Sequence, residues 1–395
     1  MTSRAGYLAR VPHWPESAAI RRIVDGCDGG VSYCLEVMTR RMKNIEGAPV
    51  AYATLAHSTK DPGTRRQTTA MKEDLSMRAY IRAVALPVLV LVAWYSGMTT
   101  AQDKYPSRPI EFVVPWGPGG GADQVARKLG QLLEADLKVS LPVVNVAGAT
   151  GQTGHAKLMS ANPDGYTIEV MTGDTFALLA EPNPKIKLAD FIPLGILIQQ
   201  ASAFFVAEGS AMKTWADVEA AARTRALKVA VTGFSSPDDI TVNYFAARGL
   251  KLSSVPYAKP GERYTSIVGG HADLLYEQAG DVRSLVDSKQ IRPVIFFYGG
   301  KVNDFPGIPT STSLGHNITL PQFRVVLVKA GTDPARVKLL SDAIARAAQT
   351  ADFKAYLKEQ YADEASFVPA QEVLPYMQRW LEEAKKVMAA IPVKK

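Results

Sequence analysis

From Tyr105 onward, apolar and polar positions follow two rhythms. Short apolar runs bounded by Gly, Pro, Asn or Asp predict buried strands. These runs are Ile110–Val114, Leu141–Val144, Tyr166–Met171, Leu194–Ile198, Ala203–Val206, Lys228–Val231, Ala272–Tyr276, Ile291–Phe297 and Gln322–Lys329, with a short extended piece at Val255–Tyr257. Between them, apolar residues recur at helical spacing. The pattern predicts helices over Asp123–Leu137, from the Gly148–Gly154 loop through Met159, from a Thr214 cap, and from the Thr232–Asp238 loop to Arg248. The tail from Pro334 is helical, with helix-period runs at Val337–Ala348, Phe353–Leu357 and Val373–Ala390. Alternation of this kind predicts α/β units built on a parallel sheet with helices on its faces.

In open α/β sheets, ligands bind beyond the carboxyl ends of the strands. The residues there are Trp116–Asp123, Ala147–Thr150, Thr172–Thr175, Thr232–Ser236 and Glu277–Asp281. Four of these five loops are rich in Gly, Ser and Thr, and no loop carries a cationic side chain. Such a site would hold an anion with backbone N–H groups, hydroxyls and helix dipoles rather than with Arg or Lys. The first loop, Gly117 to Gly121, joins a strand to a helix N-terminus, where unpaired N–H groups can face a ligand. Each loop also has a purely conformational reading. Asp123 would serve a helix start as a cap, Trp116 is either a core aromatic or a pocket wall, and Glu277 could simply pair with a neighbour.

Upstream lies a different kind of sequence. Residues 1–70 show no sustained period and supply no core. They read as a disordered extension, or as the product of a start site placed too early, with translation beginning at Met71 or Met77. Met77 to Arg82 is short and basic, Ala83 to Tyr95 is an apolar run of 13, and Thr99-Thr100-Ala101 supplies small residues. That is the layout of a secretory signal, too short for a membrane span of about 20 residues. Cleavage after Ala101 leaves a mature chain starting at Gln102. Arg65-Arg66 is a weak twin-arginine hint, lacking the apolar residues that should follow.

Charge follows the same division. The whole chain carries +7. Residues 1–101 hold 13 Lys/Arg against 8 Asp/Glu, and the remainder 32 against 30, so the body is nearly neutral. No basic stripe is interleaved with aromatics, which argues against nucleic acid. Both cysteines, Cys27 and Cys34, precede the body, so the body has no disulfide or thiolate metal site.

Enzyme motifs fare poorly. Gly117-Pro-Gly119-Gly-Gly-Ala122 fits a dinucleotide fingerprint, but Asn145 stands where a ribose-binding acid is needed and Asp123 would repel a pyrophosphate. Gly148 to Gly154 is followed by His155 rather than Lys-Ser/Thr. His155, His271 and His316 are scattered, and no nucleophile–base pair is visible. The residues offer binding groups without evident chemistry, so neither a cofactor, a metal nor a catalytic residue is expected.

Five segments resemble the extracytoplasmic solute receptors of tripartite tricarboxylate transporters, the Bug family. They are Val114-Pro-Trp-Gly-Pro-Gly-Gly-Gly-Ala-Asp123, Asn145-Val-Ala-Gly-Ala-Thr-Gly151, Pro163-Asp-Gly-Tyr166, Val255-Pro-Tyr257 and Gly269-Gly270. The resemblance implies a two-lobed periplasmic binding protein fold, type II-like, with two crossings near Val206 and Phe323. Lobe one would comprise 102–205 and 324–395, and lobe two 206–323. The resemblance further implies that a small organic carboxylate is held in lobe one. Trp116, Gly117, Pro118, Gly119, Gly120, Gly121, Ala122, Asp123, Gly148, Ala149 and Thr150 would serve there, with Thr172 and Asp174 at the next strand end. Lobe two would read the remainder through Thr232–Ser236, including Ser235 and Ser236, and Glu277. The receptor would act as a monomer and hand its ligand to membrane permease subunits. Trp116 and Glu277 stand where the family more often has Phe and Asp, Ser235 to Asp239 departs from its usual run, and residues 1–70 have no counterpart. Two other functions fit the same residues. One is a secreted α/β enzyme with Asp123 or Glu277 as general base. The other is a sensor docking on a membrane kinase.

Overall fold

The computed structural model describes residues 104–391. The upstream extension, 1–76, and the signal segment, 77–101, lie outside the described residues. The chain builds β1 (Glu111–Val114), β2 (Val143–Asn145), β3 (Thr167–Thr172), β4 (Phe191–Gln200), β5 (Ser202–Ala207), β6 (Leu227–Val231), β7 (Leu252–Pro256), β8 (Leu274–Gln278), β9 (Ile291–Phe297), β10 (Gln322–Lys329) and β11 (Val368–Pro369). These strands form two sheets. The first has the order β11-β4-β10-β3-β1-β2 and the second β7-β6-β8-β5-β9.

Neither sheet is purely parallel, which corrects the expectation from the alternating pattern. In the first sheet β1 is parallel to β2 and β3, whereas β10 runs antiparallel to both β3 and β4. In the second, β6 is parallel to β7 and β8, and β5 is antiparallel to β8 and β9. The antiparallel members are those at which the chain changes sheet. β4 ends at Gln200, Ala201 follows, and β5 begins in the other sheet. The chain rejoins the first sheet at β10. Residues 202–205, expected in the first lobe, thus form part of β5 in the second sheet.

Helices cover both sheets. On one face of the first sheet, Gly121–Leu137, Pro334–Gln349 and Ala351–Glu359 bury Val125, Leu129, Leu133, Leu340, Ile344 and Phe353 against Phe112, Ile168, Val326 and Val328. The other face belongs to an apolar cluster that continues into the second lobe, from Phe176, Phe323 and Trp380 to Phe204, Trp215, Phe245 and Phe297. The C-terminal helix Ala370–Ala389 touches both halves, packing on β4 and on the helix Pro237–Ala246. Helix starts follow local chemistry. Thr214 accepts from the Asp217 N–H at 3.3 Å while the Asp217 carboxylate accepts from the Thr214 N–H at 2.9 Å, a reciprocal cap. Among the described residues no helix is long and apolar enough to cross a membrane.

One polar pair sits inside the first lobe. Glu169 on β3 is fully buried, and its Oε2 lies 2.9 Å from Nδ1 of buried His155 on the helix Gln152–Ser160. Removing one member of a buried pair strands the other without a partner. Glu169→Ala is expected to cost about 3–5 kcal/mol in urea unfolding, with Glu169→Gln costing less because it keeps one hydrogen bond.

Candidate functional site

The two sheets face each other across a cleft whose enclosed part is a cavity of about 30 Å³. That is room for about two water molecules, at roughly 10–15 Å³ each. Trp116, Gly120, Gly121, Ala122, Thr172 and Asp174 line it from the first sheet's side. Asp238, Tyr276, Glu277 and Asp281 line it from the second.

The floor is the N-terminus of the helix Gly121–Leu137. Its N-cap is Gly120, in an extended conformation, and no side chain caps it. The first-turn N–H groups therefore point at the cavity without an internal partner. Trp116 is 6% exposed and donates its indole N–H to Thr172 Oγ1 at 3.2 Å, making one wall. A Cβ at Gly121 would run into the Arg324 guanidinium and the Asp281 carboxylate, so glycine lets that pair sit against the helix end. At Gly120 a Cβ would stand 2.8 Å from Pro260 of the opposite side, and at Gly117 3.1 Å from it.

Asp123 fastens this loop and does not line the cavity. Its carboxylate accepts from the Gly119 N–H, Arg127 Nε and Asn145 Nδ2, each at 3.0 Å. Asn145 Nδ2 also donates to the Trp116 carbonyl at 3.0 Å. Burial pushes the Asp123 carboxyl up, but the bonds from Arg127, Gly119 and Asn145 outweigh it and hold it below the usual range.

Most of the remaining expected residues form the rim. Gly148, Ala149 and Thr150 lie on one edge and Ser235 on the other, with Thr150 Oγ1 donating to the Phe234 carbonyl at 3.4 Å, while Ser236 is fully buried. Ala149, Thr150 and Ser235 hold φ of 47°, 52° and 61°, values that non-glycine residues seldom adopt. Such strain on two facing loops marks a place where backbone position matters. Ser236 caps the helix Pro237–Ala246, accepting from the Asp239 N–H. Gly117, Pro118 and Gly119 belong to the loop wall and do not line the enclosed cavity.

Two cationic side chains do line the site, contrary to expectation. Arg263 is 4% exposed and pairs with Glu277, and Arg324 is 2% exposed and pairs with Asp281. Arg324 also donates to Gln200 Oε1. Neither arginine lies just beyond a strand end. Arg263 is in the first turns of the helix Pro260–Val268, and Arg324 is inside β10. The available signal is the polar pair Gln322 and Arg324 ahead of the apolar run Val325–Val328. Gln322 is a site residue too, donating to Asp174 Oδ2 at 2.6 Å and accepting from the Gly173 N–H at 2.7 Å. Neither carboxylate considered as a general base is free, since Asp123 holds its loop and Glu277 holds Arg263. Among the described residues no group of three or more His, Cys, Asp or Glu is placed to hold a metal.

Two α/β lobes with a polar cleft between them, closed on an uncapped helix end, define a solute-binding protein of the periplasmic class. The model of the tripartite tricarboxylate transporter family receptor matches residues 125–393, and the chain belongs to that family as an extracytoplasmic solute receptor. It is 29% identical over 231 residues to a protein encoded in the TAR-I ttuE-ttuC' intergenic region of Agrobacterium vitis, covering 57% of this chain and 66% of that relative, just under two thirds. It is 28% identical over 258 residues to Protein BugT of Bordetella pertussis, covering 63% of this chain and 78% of BugT. An R. palustris protein solved with adipate shares the fold, with a TM-score of 0.68 at 19% identity over 73% of this chain and 98% of that one.

The Asp123 bonds have a pH signature. A folded pKa below the unfolded value gives stability that is present above the ordinary carboxylate range and lost as pH falls through the folded value. Asp123→Asn is expected to cost about 1–3 kcal/mol near neutral pH. That deficit should shrink as pH falls below the ordinary carboxylate range and through the depressed folded value, where Asp123 takes up a proton and loses its charge-assisted bonds.

Proposed function

We propose that the protein captures a small organic carboxylate between its two lobes and delivers it to the permease subunits of a tripartite tricarboxylate-type transporter. The observation that carries this reading is the uncapped N-terminus of Gly121–Leu137 at the cavity floor. Its positive end and its free N–H groups are a ready anion site. Trp116 walls that site, and Thr172 supplies a hydroxyl beside it. Gly148 to Thr150 and Ser235 close the rim, and Glu277 acts through Arg263.

Entry of a ligand larger than the present cavity requires the lobes to part. The strand assignments support two hinges, one at Ala201 between β4 and β5 and one just before Gln322. These fall close to the crossings expected near Val206 and Phe323. Among the described residues the two lobes are then 104–200 with 322–391, and 202–321. Closure excludes water, so the partial charges of the helix end act at lower dielectric.

A panel of di- and tricarboxylates, aromatic acids and amino acids tests this. A ligand at 100 times its Kd stabilises the folded state by about 2.7 kcal/mol and raises the melting temperature accordingly. Absence of a shift from every carboxylate would sink the reading. Export makes a separate prediction. N-terminal sequencing of the exported protein should begin at Gln102, and a product retaining Met1 would refute the signal segment.

A further inference from the structure

The charges lining the cavity do not balance. Four carboxylates line it, Asp174, Asp238, Glu277 and Asp281, against two guanidinium groups, Arg263 and Arg324. Glu277 has Arg263 and Asp281 has Arg324. Among the described residues Asp174 and Asp238 have no ion-pair partner, although both are buried, at 5% and 1% exposure. They approach from opposite lobes. Asp174 sits in the first turn of Gly173–Ala177, directly after β3, and Asp238 in the first turn of Pro237–Ala246, beyond β6.

Their hydrogen bonds leave capacity unused. Asp238 Oδ2 accepts from the Thr232 N–H at 2.5 Å and the Thr232 hydroxyl at 2.6 Å, while its Oδ1 is buried without a partner. Asp174 takes one bond, from Gln322 at 2.6 Å. The hydroxyl of Tyr276, 3% exposed and lining the same space, lies near the Ser202 and Thr241 side chains but makes no well-aligned hydrogen bond among the described residues. Burial pushes the Asp174 carboxyl up to about 7, and the charge of Asp238 adds to that rise. Asp238 is likewise raised by burial, against the pull of Arg263, Ser236 and Thr232.

An isolated buried carboxylate is costly, and two of them facing one space are costlier. A second carboxylate on the ligand would add to the surplus. A protonated nitrogen would remove it, since an ammonium group has three donors and no acceptor. The oxygens on offer number the same: Asp238 Oδ1, a carboxylate oxygen of Asp174 and the Tyr276 hydroxyl.

We propose that this half of the cavity takes the protonated amino group of the ligand, so that the captured carboxylate is an amino acid. The carboxylate end lies at Gly120–Ala122 and the ammonium end between Asp174 and Asp238. This rests on the carboxylate reading above and narrows its substrate class.

The test is calorimetric titration of the protein with the proteinogenic amino acids, the des-amino counterpart of each, and the amide of each. At least one amino acid should bind about tenfold or more tightly than its des-amino counterpart, as a charge-assisted hydrogen-bond set requires. Asp238→Asn should narrow that preference by about tenfold, and Asp174→Asn should do the same, with thermal unfolding confirming that each variant is folded. Des-amino acids binding as tightly as the amino acids would overturn the amino site and leave the carboxylate reading standing. Amino amides binding as tightly as the free acids would overturn the carboxylate reading and leave the amino site. Silence from all three sets would overturn both.

Discussion

The buried guanidinium of Arg324 joins three parts of the molecule that otherwise have separate origins. It stands on β10, donates to Gln200 at the end of β4, and pairs with Asp281 from the opposite sheet. Gln200 is the last residue before the chain changes sheet, so the pair is anchored beside a hinge. A buried ion pair is near balance between desolvation and attraction. In the proposed opening both charges would regain water, and in the closed arrangement Asp281, with help from Gln200, compensates the guanidinium. Closure held in this way is reversible, as a receptor that must release its ligand needs. Gly121 suits the arrangement: a Cβ there would displace this pair, so one residue both presents an N–H group and leaves room for the ion pair.

The apolar side of the molecule limits where the lobes can separate. One cluster runs from Phe176, Phe323 and Trp380 in the first lobe to Phe204, Phe245 and Phe297 in the second. The C-terminal helix spans the seam and is tied to the return strand through Trp380, whose indole N–H donates to the Pro321 carbonyl at 2.9 Å. Opening that side would expose apolar area at about 25 cal/mol per Å². The opposite edge carries Gly120 against Pro260 and Thr150 against the Phe234 carbonyl, contacts that cost little to break. The proposed opening is therefore expected at the glycine loops, with the aromatic seam as its axis.

Much of the fold was legible in the sequence. β9 and β10 coincide with the apolar runs Ile291–Phe297 and Gln322–Lys329. The apolar spacing predicts the first helix from Asp123, and it begins at Gly121, because its N-cap is an extended glycine with no side-chain signal. β4 extends from Phe191 to Gln200, well beyond the run Leu194–Ile198, since pairing with β10 holds Pro193, Gln199 and Gln200 in strand geometry. Strand direction was not legible, because a period of two carries no information about the partner. Within the site, the glycine loops announced themselves through composition. Arg263, Arg324 and Gln322 did not. They reach the cavity from a helix flank and from inside a strand, and only the assembled lobes bring them to the same space.

Helix ends explain why the charges are arranged as they are. The helices Gly121–Leu137, Gly173–Ala177 and Pro237–Ala246 all send their first turns to the cavity. Two of these turns already carry a carboxylate into it, Asp174 and Asp238, each placed where a helix end offsets negative charge. The third also has an acid in its first turn, Asp123, but that carboxylate is turned aside to Gly119, Arg127 and Asn145. Of the three, only the end at Gly120–Ala122 therefore faces the cavity with no acid of its own. Its partial positive charge, about half an elementary unit, is opposite a region of surplus negative charge. A ligand entering that field is oriented by it, negative end to the glycines and positive end to Asp174 and Asp238, before any shape-specific contact is made.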